Sequence, residues 1–256
     1  MPLFDRLGKR VRLTSAGQML VRYAQRMLDI EKETVAKVAG WEEPHGTISI
    51  RIPQSVGTYL LPSVLHKFQQ CYPKIGFDIR TCAYDTLIHE LKNGITDLAF
   101  LLADSIPFSE LKTELLRVEP LFLVSSPQHP IAAQSVLRIG DLAGQSILLP
   151  KYDCSYKMLF EQILFEEKVG PATFMEINSI EAIKQCVLKG IGVAMMPVMA
   201  ITAELAQQKL AILPWSEEKL ETAILMIWHR DKWLPPTLQA FMDTVREVMR
   251  SPEDGQ

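Results

Sequence analysis

Four cysteines and five histidines are the side chains best suited to metal or redox chemistry, and their spacing decides what they can do. The sequence has no CxxC pair and no histidine at metal-ligand spacing from a cysteine or another histidine. It also has no Gly-rich phosphate loop, no nucleophile elbow and no paired-carboxylate motif. These observations predict neither a metal site, nor a cofactor, nor an enzyme. The residues concerned are Cys71, Cys82, Cys154, Cys186, His45, His66, His89, His129 and His229.

Scattered cysteines are typical of reduced thiols in a cytosol, where disulfides are rare. No apolar run reaches the ~18 residues of a membrane span. The first residues, MPLFDRLGKRVRL, lack the apolar core of a secretory signal. We therefore expect a soluble, cytoplasmic protein without a membrane partner. A redox role for Cys154 is an alternative, because a helix N-terminus favours the thiolate, and its partner would be Cys82 or Cys186.

A basic cluster opens the chain, although the net charge of the whole is −3. Apolar and charged residues alternate around Gly8, which predicts a short β-hairpin with one charged face. That face is either a solvated surface or a set of phosphate contacts to DNA. The four basic residues, opposed in this stretch only by Asp5, are Arg6, Lys9, Arg10 and Arg12.

A long helix is predicted from Ala16 to about Ala39, with Thr14 as its N-cap. Some 24 residues would span ~36 Å, which is long for a globular helix. Its narrow apolar stripe favours pairing with a second helix, and the alternative is a surface helix packed on its own domain. The segment GWEEPHG, from Gly40 to Gly46, then predicts a linker. The stripe consists of Leu20, Tyr23, Met27, Ile30, Thr34 and Val38.

After the linker, strands and helices alternate in two successive blocks, which predicts a parallel sheet covered by helices. No Pro- or Ser-rich linker separates the blocks, so we expect two lobes joined by crossover strands, with a ligand cleft between them. The predicted strands are Thr47–Ile52, Phe77–Cys82, Leu98–Leu102, Ser146–Leu149, Thr173–Ile177, Gly192–Met196, Ala211–Leu213 and Glu221–Trp228. The predicted helices are Leu60–Gln70, Leu87–Leu91, Tyr156–Glu167, Ile180–Leu188 and Pro236–Met249.

Six segments, in this order, resemble the LysR-type transcriptional regulators. The wing of that family's helix-turn-helix and the start of its dimerisation helix are similar to PLFDRLGKRVRLTSAG. Its first effector lobe resembles GTISIRIPQSVGTYLLPSVLHKFQQCYP and LKNGITDLAF. The crossover and second lobe resemble EPLFLVSSPQHPIA, IGDLAGQSILLP and INSIEAIKQCVLKGIGVAMMPVMA.

The resemblance implies an α/β fold in which a two-lobed, periplasmic-binding-protein-like effector domain follows a long dimerisation helix and the remnant of a winged helix-turn-helix. The implied boundaries are a wing at 1–15, the helix at 16–40, lobe I at 46–120 and 222–250, and lobe II at 121–221. The implied partners are DNA, a small-molecule effector and further copies of the chain, as a homodimer or homotetramer.

Family members begin with further helices, among them the recognition helix that reads base edges. This start is natural, engineered or the result of a shortened reading of the gene, and the sequence leaves the three open. We expect the four basic residues of the hairpin to contribute phosphate contacts, which position a protein on DNA without specifying a sequence.

The resemblance places the effector site at strand ends and helix N-termini on both sides of the cleft. Ser55 matches a position where the family often carries a hydroxyl. The alternative is that Ser55, Ser155 and Ser179 only cap helices. The implied first-lobe residues are Pro53, Gln54, Ser55, Val56, Thr81, Cys82 and Leu102, and those of the second lobe are Asp153, Cys154, Ser155, Asn178 and Ser179.

Helix N-termini on both sides of the cleft favour an anionic metabolite. The nearest cations in sequence are Lys151 and Lys157, each also compatible with a solvated surface. Asp97 precedes a buried strand and is interpreted as a structural group rather than a ligand contact. Two rival functions share such a fold: a solute-binding protein of a transporter, and an enzyme acting on small acids.

Overall fold

The structure, a computed structural model, describes residues 2–7, 10–38, 46–81, 84–103, 109–151, 154–170, 173–215 and 220–250. The chain opens with an antiparallel hairpin of β1 (Phe4–Leu7) and β2 (Arg10–Leu13). Helix α1 (Ser15–Val38) follows, and the Gly17 backbone N–H donates to the Thr14 hydroxyl at 3.0 Å, as predicted for an N-cap. Of the predicted linker, residues 40–45 lie outside the described residues.

Lobe I contains three parallel strands, β3 (Gly46–Arg51), β4 (Ile75–Arg80) and β5 (Leu98–Leu102), with β3 in the middle. Strand β11 (Glu221–His229) joins β5 in the antiparallel sense. The helices are α2 (Gln54–Tyr59), α3 (Leu61–Cys71), α4 (Tyr84–Lys92) and α8 (Pro236–Arg250). Phe68 of α3 packs edge-on against Phe241 of α8, with ring centroids 5.2 Å apart.

Lobe II repeats this arrangement with β7 (Ser146–Pro150), β8 (Thr173–Ile177) and β9 (Val193–Pro197), with β7 in the middle. Its helices are α5 (Cys154–Glu166), α6 (Ile180–Leu188) and α7 (Thr202–Ala206). Three 3-10 turns lie at Pro130–Ala133, Ile139–Leu142 and Val198–Ala200. The short strand β10 (Ala211–Ile212) completes the lobe.

Strand β6 (Leu111–Ser125) connects the two lobes without a break. Its residues 111–120 pair with β11, whereas Leu121–Val124 pair with β9, both in the antiparallel sense. The strand order among the described residues is therefore β4-β3-β5-β11-β6-β9-β7-β8, with β10 on β6. One buried apolar cluster contains residues of both lobes, such as Ile50 and Phe160. The predicted α/β fold is confirmed.

Two elements differ from the sequence prediction. Helix α2 was not predicted, and the predicted helix Leu60–Gln70 corresponds to α3, which carries Pro62 in its first turn. Proline has no N–H to donate to a preceding turn, so α2 ends and a new helix begins. The long β6 was not among the predicted strands, since Pro120 interrupts its pattern.

Candidate effector cleft between the lobes

The carboxyl ends of the parallel strands in the two lobes meet at the lobe junction. Helix α2, which follows β3, contacts the 3-10 turn that follows β9. Helix α5, which follows β7, contacts β5 and β11 of the other lobe. The edge at which open α/β sheets bind ligands is thus shared by both lobes, and the predicted cleft would lie there.

The first lobe contributes a buried hydroxyl to this junction. Ser55 is 0% exposed and its Oγ has no hydrogen-bond partner among the described residues. It is the second residue of α2, whose N-cap is Pro53, so Ser55 does not cap that helix. Val56 and Leu102 of the first lobe are also buried, whereas Thr81, just after β4, is exposed.

Both ends of α2 reach across to α6 of the second lobe. The Gln54 side-chain oxygen accepts a hydrogen bond from the backbone N–H of Ile180 at 2.9 Å. The Tyr59 hydroxyl donates to the Glu181 carboxylate at 2.7 Å. Gln54 was predicted as an effector-binding residue, and in the structure its side chain contacts the opposite lobe.

Charged side chains form a network around the contact between Tyr59 and Glu181. The Lys184 ammonium lies 3.1 Å from Glu181, 2.8 Å from Glu204 and 5.1 Å from the Tyr59 ring centroid. Burial and the hydrogen bond to Glu181 raise the pKa of Tyr59 to about 12. Burial acts to raise the pKa of Glu181, but hydrogen bonds from Gln185, Tyr59 and Lys184 outweigh it and hold that pKa below its ordinary value.

The pKa of Lys184 is raised, whereas that of Glu181 is lowered. Burial acts to lower the pKa of Lys184, but the carboxylates of Glu204 and Glu181 raise it above its ordinary value. Both members of the Glu181–Lys184 pair therefore keep their charge throughout the physiological range.

Of the second-lobe candidates, Asn178 is exposed and Ser179 is the N-cap of α6, its Oγ accepting from the Ala182 N–H at 3.3 Å. Cys154 and Ser155 open α5, but their side chains lie outside the described residues, as do Cys82 and Asp153 altogether. Tyr156, one residue further along α5, is buried at the junction and was missed. The only sequence feature that could have indicated Tyr156 was its position as an aromatic residue in the first turn of a helix.

Two cations, Arg51 at the end of β3 and Arg117 within β6, are paired with carboxylates. Arg51 Nε lies 2.6 Å from Glu90, and Arg117 Nη2 lies 2.7 Å from the buried Glu119. The second oxygen of Glu119 accepts from the Met199 N–H at 2.6 Å, which ties the crossover strand to the second lobe.

Lys157 pairs with Glu176, and Lys151 is exposed. The described part of the chain contains no group of three potential metal ligands, and no helix in it is long and apolar enough to cross a membrane. In the amino-terminal hairpin, Arg12 is exposed, Arg6 and Arg10 lie in β1 and β2, and Lys9 lies outside the described residues.

A two-lobed α/β fold with its candidate site between the lobes defines a class of small-molecule binding domains. The sequence profile of the family described as LysR substrate binding domain matches residues 42–250. This match covers most of the chain, and the chain therefore belongs to that family.

Individual relatives agree with this assignment. The chain is 32% identical over 250 residues to the uncharacterized HTH-type transcriptional regulator YwqM of Bacillus subtilis, covering 97% of this chain and 85% of that protein. The regulatory domain of CcmR from Synechocystis, solved in complex with 2-PG, superposes with a TM-score of 0.71 at 21% identity, covering 81% of this chain and 99% of that one.

A full-length OxyR from Pseudomonas aeruginosa gives a TM-score of 0.70 at 22% identity over 97% of this chain and 80% of that one. The family match, together with these transcription regulators, favours a ligand-responsive regulator over a solute-binding protein. The relatives are regulators rather than enzymes.

Proposed function

We propose that this chain is the effector-sensing part of a LysR-type transcription regulator that binds a small, anionic metabolite between its lobes and has no enzymatic activity. Its proposed parts are the wing at 1–15, the dimerisation helix at 16–40, lobe I at 46–120 and 222–250, and lobe II at 121–221. DNA and a second copy of the chain would be its other partners, so it would act in the cytoplasm.

The buried hydroxyl of Ser55 carries the proposal. A buried polar group without a partner costs about 1–3 kcal/mol, so a fold retains one only where something compensates. A ligand oxygen at the lobe junction would supply the missing hydrogen bond. Ser55 lies in the helix that contacts the opposite lobe, so a ligand bound there would bridge both lobes.

The chemistry of the cleft favours recognition by hydroxyl and backbone N–H groups. The Lys184 and Arg117 cations are already matched by carboxylates of the fold. The N–H groups of Ile180 and Ala182 in the first turn of α6 are also engaged, by Gln54 and Ser179. We therefore expect an anion to be held by the Ser55 hydroxyl and by the first turn of α5, close to Tyr156.

The test is calorimetry of a ligand identified by thermal shift, with 2-PG as the first compound and other small carboxylates after it. Ser55→Ala should weaken binding roughly tenfold, because 1.4 kcal/mol is a factor of ten. Ser63→Ala, on the exposed face of α3, is the control and should bind as the unmodified chain does. Unchanged affinity in both Ser55→Ala and Ser179→Ala would show that these serines serve only the fold.

A further inference from the structure

The face of α2 that carries Ser55 is turned toward the second lobe. Ser55 and Tyr59 are four residues apart, and residues at that spacing share one face of a helix. Tyr59 on this face donates to Glu181 of α6, and its ring borders the apolar cluster of the second lobe. The Ser55 hydroxyl is therefore placed on the side of α2 that is turned toward α6.

We propose that Tyr59 and Glu181 form a latch that holds the lobes closed over Ser55, and that this latch must open before the cleft admits a ligand. The contact joins residues 122 positions apart in the chain and belongs to neither lobe alone. The latch guards an effector site only if the proposed function is correct. Its control of access to Ser55 does not depend on that function.

The chemistry of the latch suits a contact that opens and closes. A hydrogen bond to an ionised carboxylate is stronger than one between neutral groups, so Tyr59 and Glu181 hold the lobes firmly. Lys184 is 5% exposed and lies between two carboxylates, and therefore keeps Glu181 charged and in place whether or not Tyr59 is present. Opening thus breaks one hydrogen bond and leaves no buried charge unpaired.

The second contact, from Gln54 to the Ile180 N–H, lies at the other end of α2. A six-residue helix is about 9 Å long, so the two contacts hold α2 at both ends against the first turn of α6. Loss of the Tyr59 hydrogen bond frees the carboxyl end of α2 to move, while the Gln54 contact and the packing of α2 on the 3-10 turn after β9 remain.

The latch can be tested without any ligand. In a Ser55→Cys chain, the introduced thiol should react slowly with iodoacetamide, as followed by mass spectrometry of the peptide that carries position 55. Adding Tyr59→Phe removes only the hydroxyl, so the fold is retained and the alkylation rate should rise about tenfold. Labelling of a buried thiol follows the population of the open state.

The matched control is Tyr72→Phe in the same Ser55→Cys background. Tyr72 stacks on Phe68 within lobe I, with 4.7 Å between the ring centroids. It should leave the alkylation rate unchanged. Equal rates with and without Tyr59→Phe would overturn the latch, as would an equal acceleration by Tyr72→Phe.

The two proposals fail separately. If Ser55→Ala binds the effector as tightly as the unmodified chain while Tyr59→Phe still accelerates labelling, the latch stands and the assignment of the site does not. If labelling is unaffected but Ser55→Ala weakens binding, the site stands and access to it has another cause.

Discussion

Asp97 precedes β5, and its carboxylate is held by groups from two other segments. One oxygen accepts from the backbone N–H and the hydroxyl of Ser49 in β3, each at 2.8 Å. The other lies 2.8 Å from the ammonium of Lys232, which follows β11. The carboxylate therefore ties the centre of lobe I to the returning chain, in agreement with its interpretation as a structural group.

Asp97→Asn should lower the free energy of unfolding by about 1–3 kcal/mol, the range for removing one partner of a buried hydrogen bond. The amide can still accept from Ser49, but the buried ammonium of Lys232 loses its counter-charge. Urea denaturation measures the change. Asp243→Asn removes an exposed carboxylate paired with Arg246 and should cost less than about 1 kcal/mol. Equal losses in the two variants would contradict this role for Asp97.

At the residue scale, the sequence predicted some parts of the candidate site and missed others. Ser55 was found because it follows a strand and resembles a family position, and the structure shows it buried at the lobe junction. Tyr59, Glu181 and Lys184 were missed. Tyr59 meets Glu181 only when the two lobes come together, and a contact between residues more than a hundred positions apart leaves no local pattern in the sequence.

At the element scale, periodicity predicted most of the fold. Strands β5 and β8 and helix α6 begin and end at the predicted residues, because alternation and helical spacing are marked there. Helix α2 was missed, since its six residues are too few to show a helical repeat. Close packing of two strands also requires a residue without a side chain where their backbones approach, and residue spacing does not reveal such a position. Gly192, just before β9, is one.

A Cβ at Gly192 would lie 2.2 Å from the backbone oxygen of Ser146, closer than any van der Waals contact. Gly192→Ala should therefore push β9 from β7 and destabilise the protein by about 1–3 kcal/mol or more. Gly140→Ala is the matched control, because a Cβ there has no neighbour within 4 Å. Thermal unfolding of the two variants measures the difference. A Gly192→Ala protein as stable as Gly140→Ala would show that the strands can separate freely.

At the scale of the whole molecule, α1 carries an apolar stripe that is exposed within the described part of the chain. Leu20, Tyr23, Met27 and Ile30 are all exposed along it. Exposure of the stripe favours pairing over a surface helix packed on its own domain through these residues. A 24-residue helix with an open apolar seam is suited to pairing with a second copy, in line with the dimerisation helix that we propose.

Ile30→Glu should weaken self-association at least tenfold, because pairing of two copies would bring carboxylates into an apolar seam, and tenfold corresponds to about 1.4 kcal/mol. Sedimentation over concentrations around tens of micromolar measures the shift from dimer to monomer, a range chosen for ordinary affinities. Val136→Glu is the control: Val136 is 56% exposed against 58% for Ile30, but it lies in lobe II, far along the chain from α1. It adds the same charge at an equally exposed apolar position, so a general effect of charge would appear in both variants. Pairing through α1 predicts dissociation in Ile30→Glu alone, and a dimer that survives that substitution would place the interface elsewhere on the molecule.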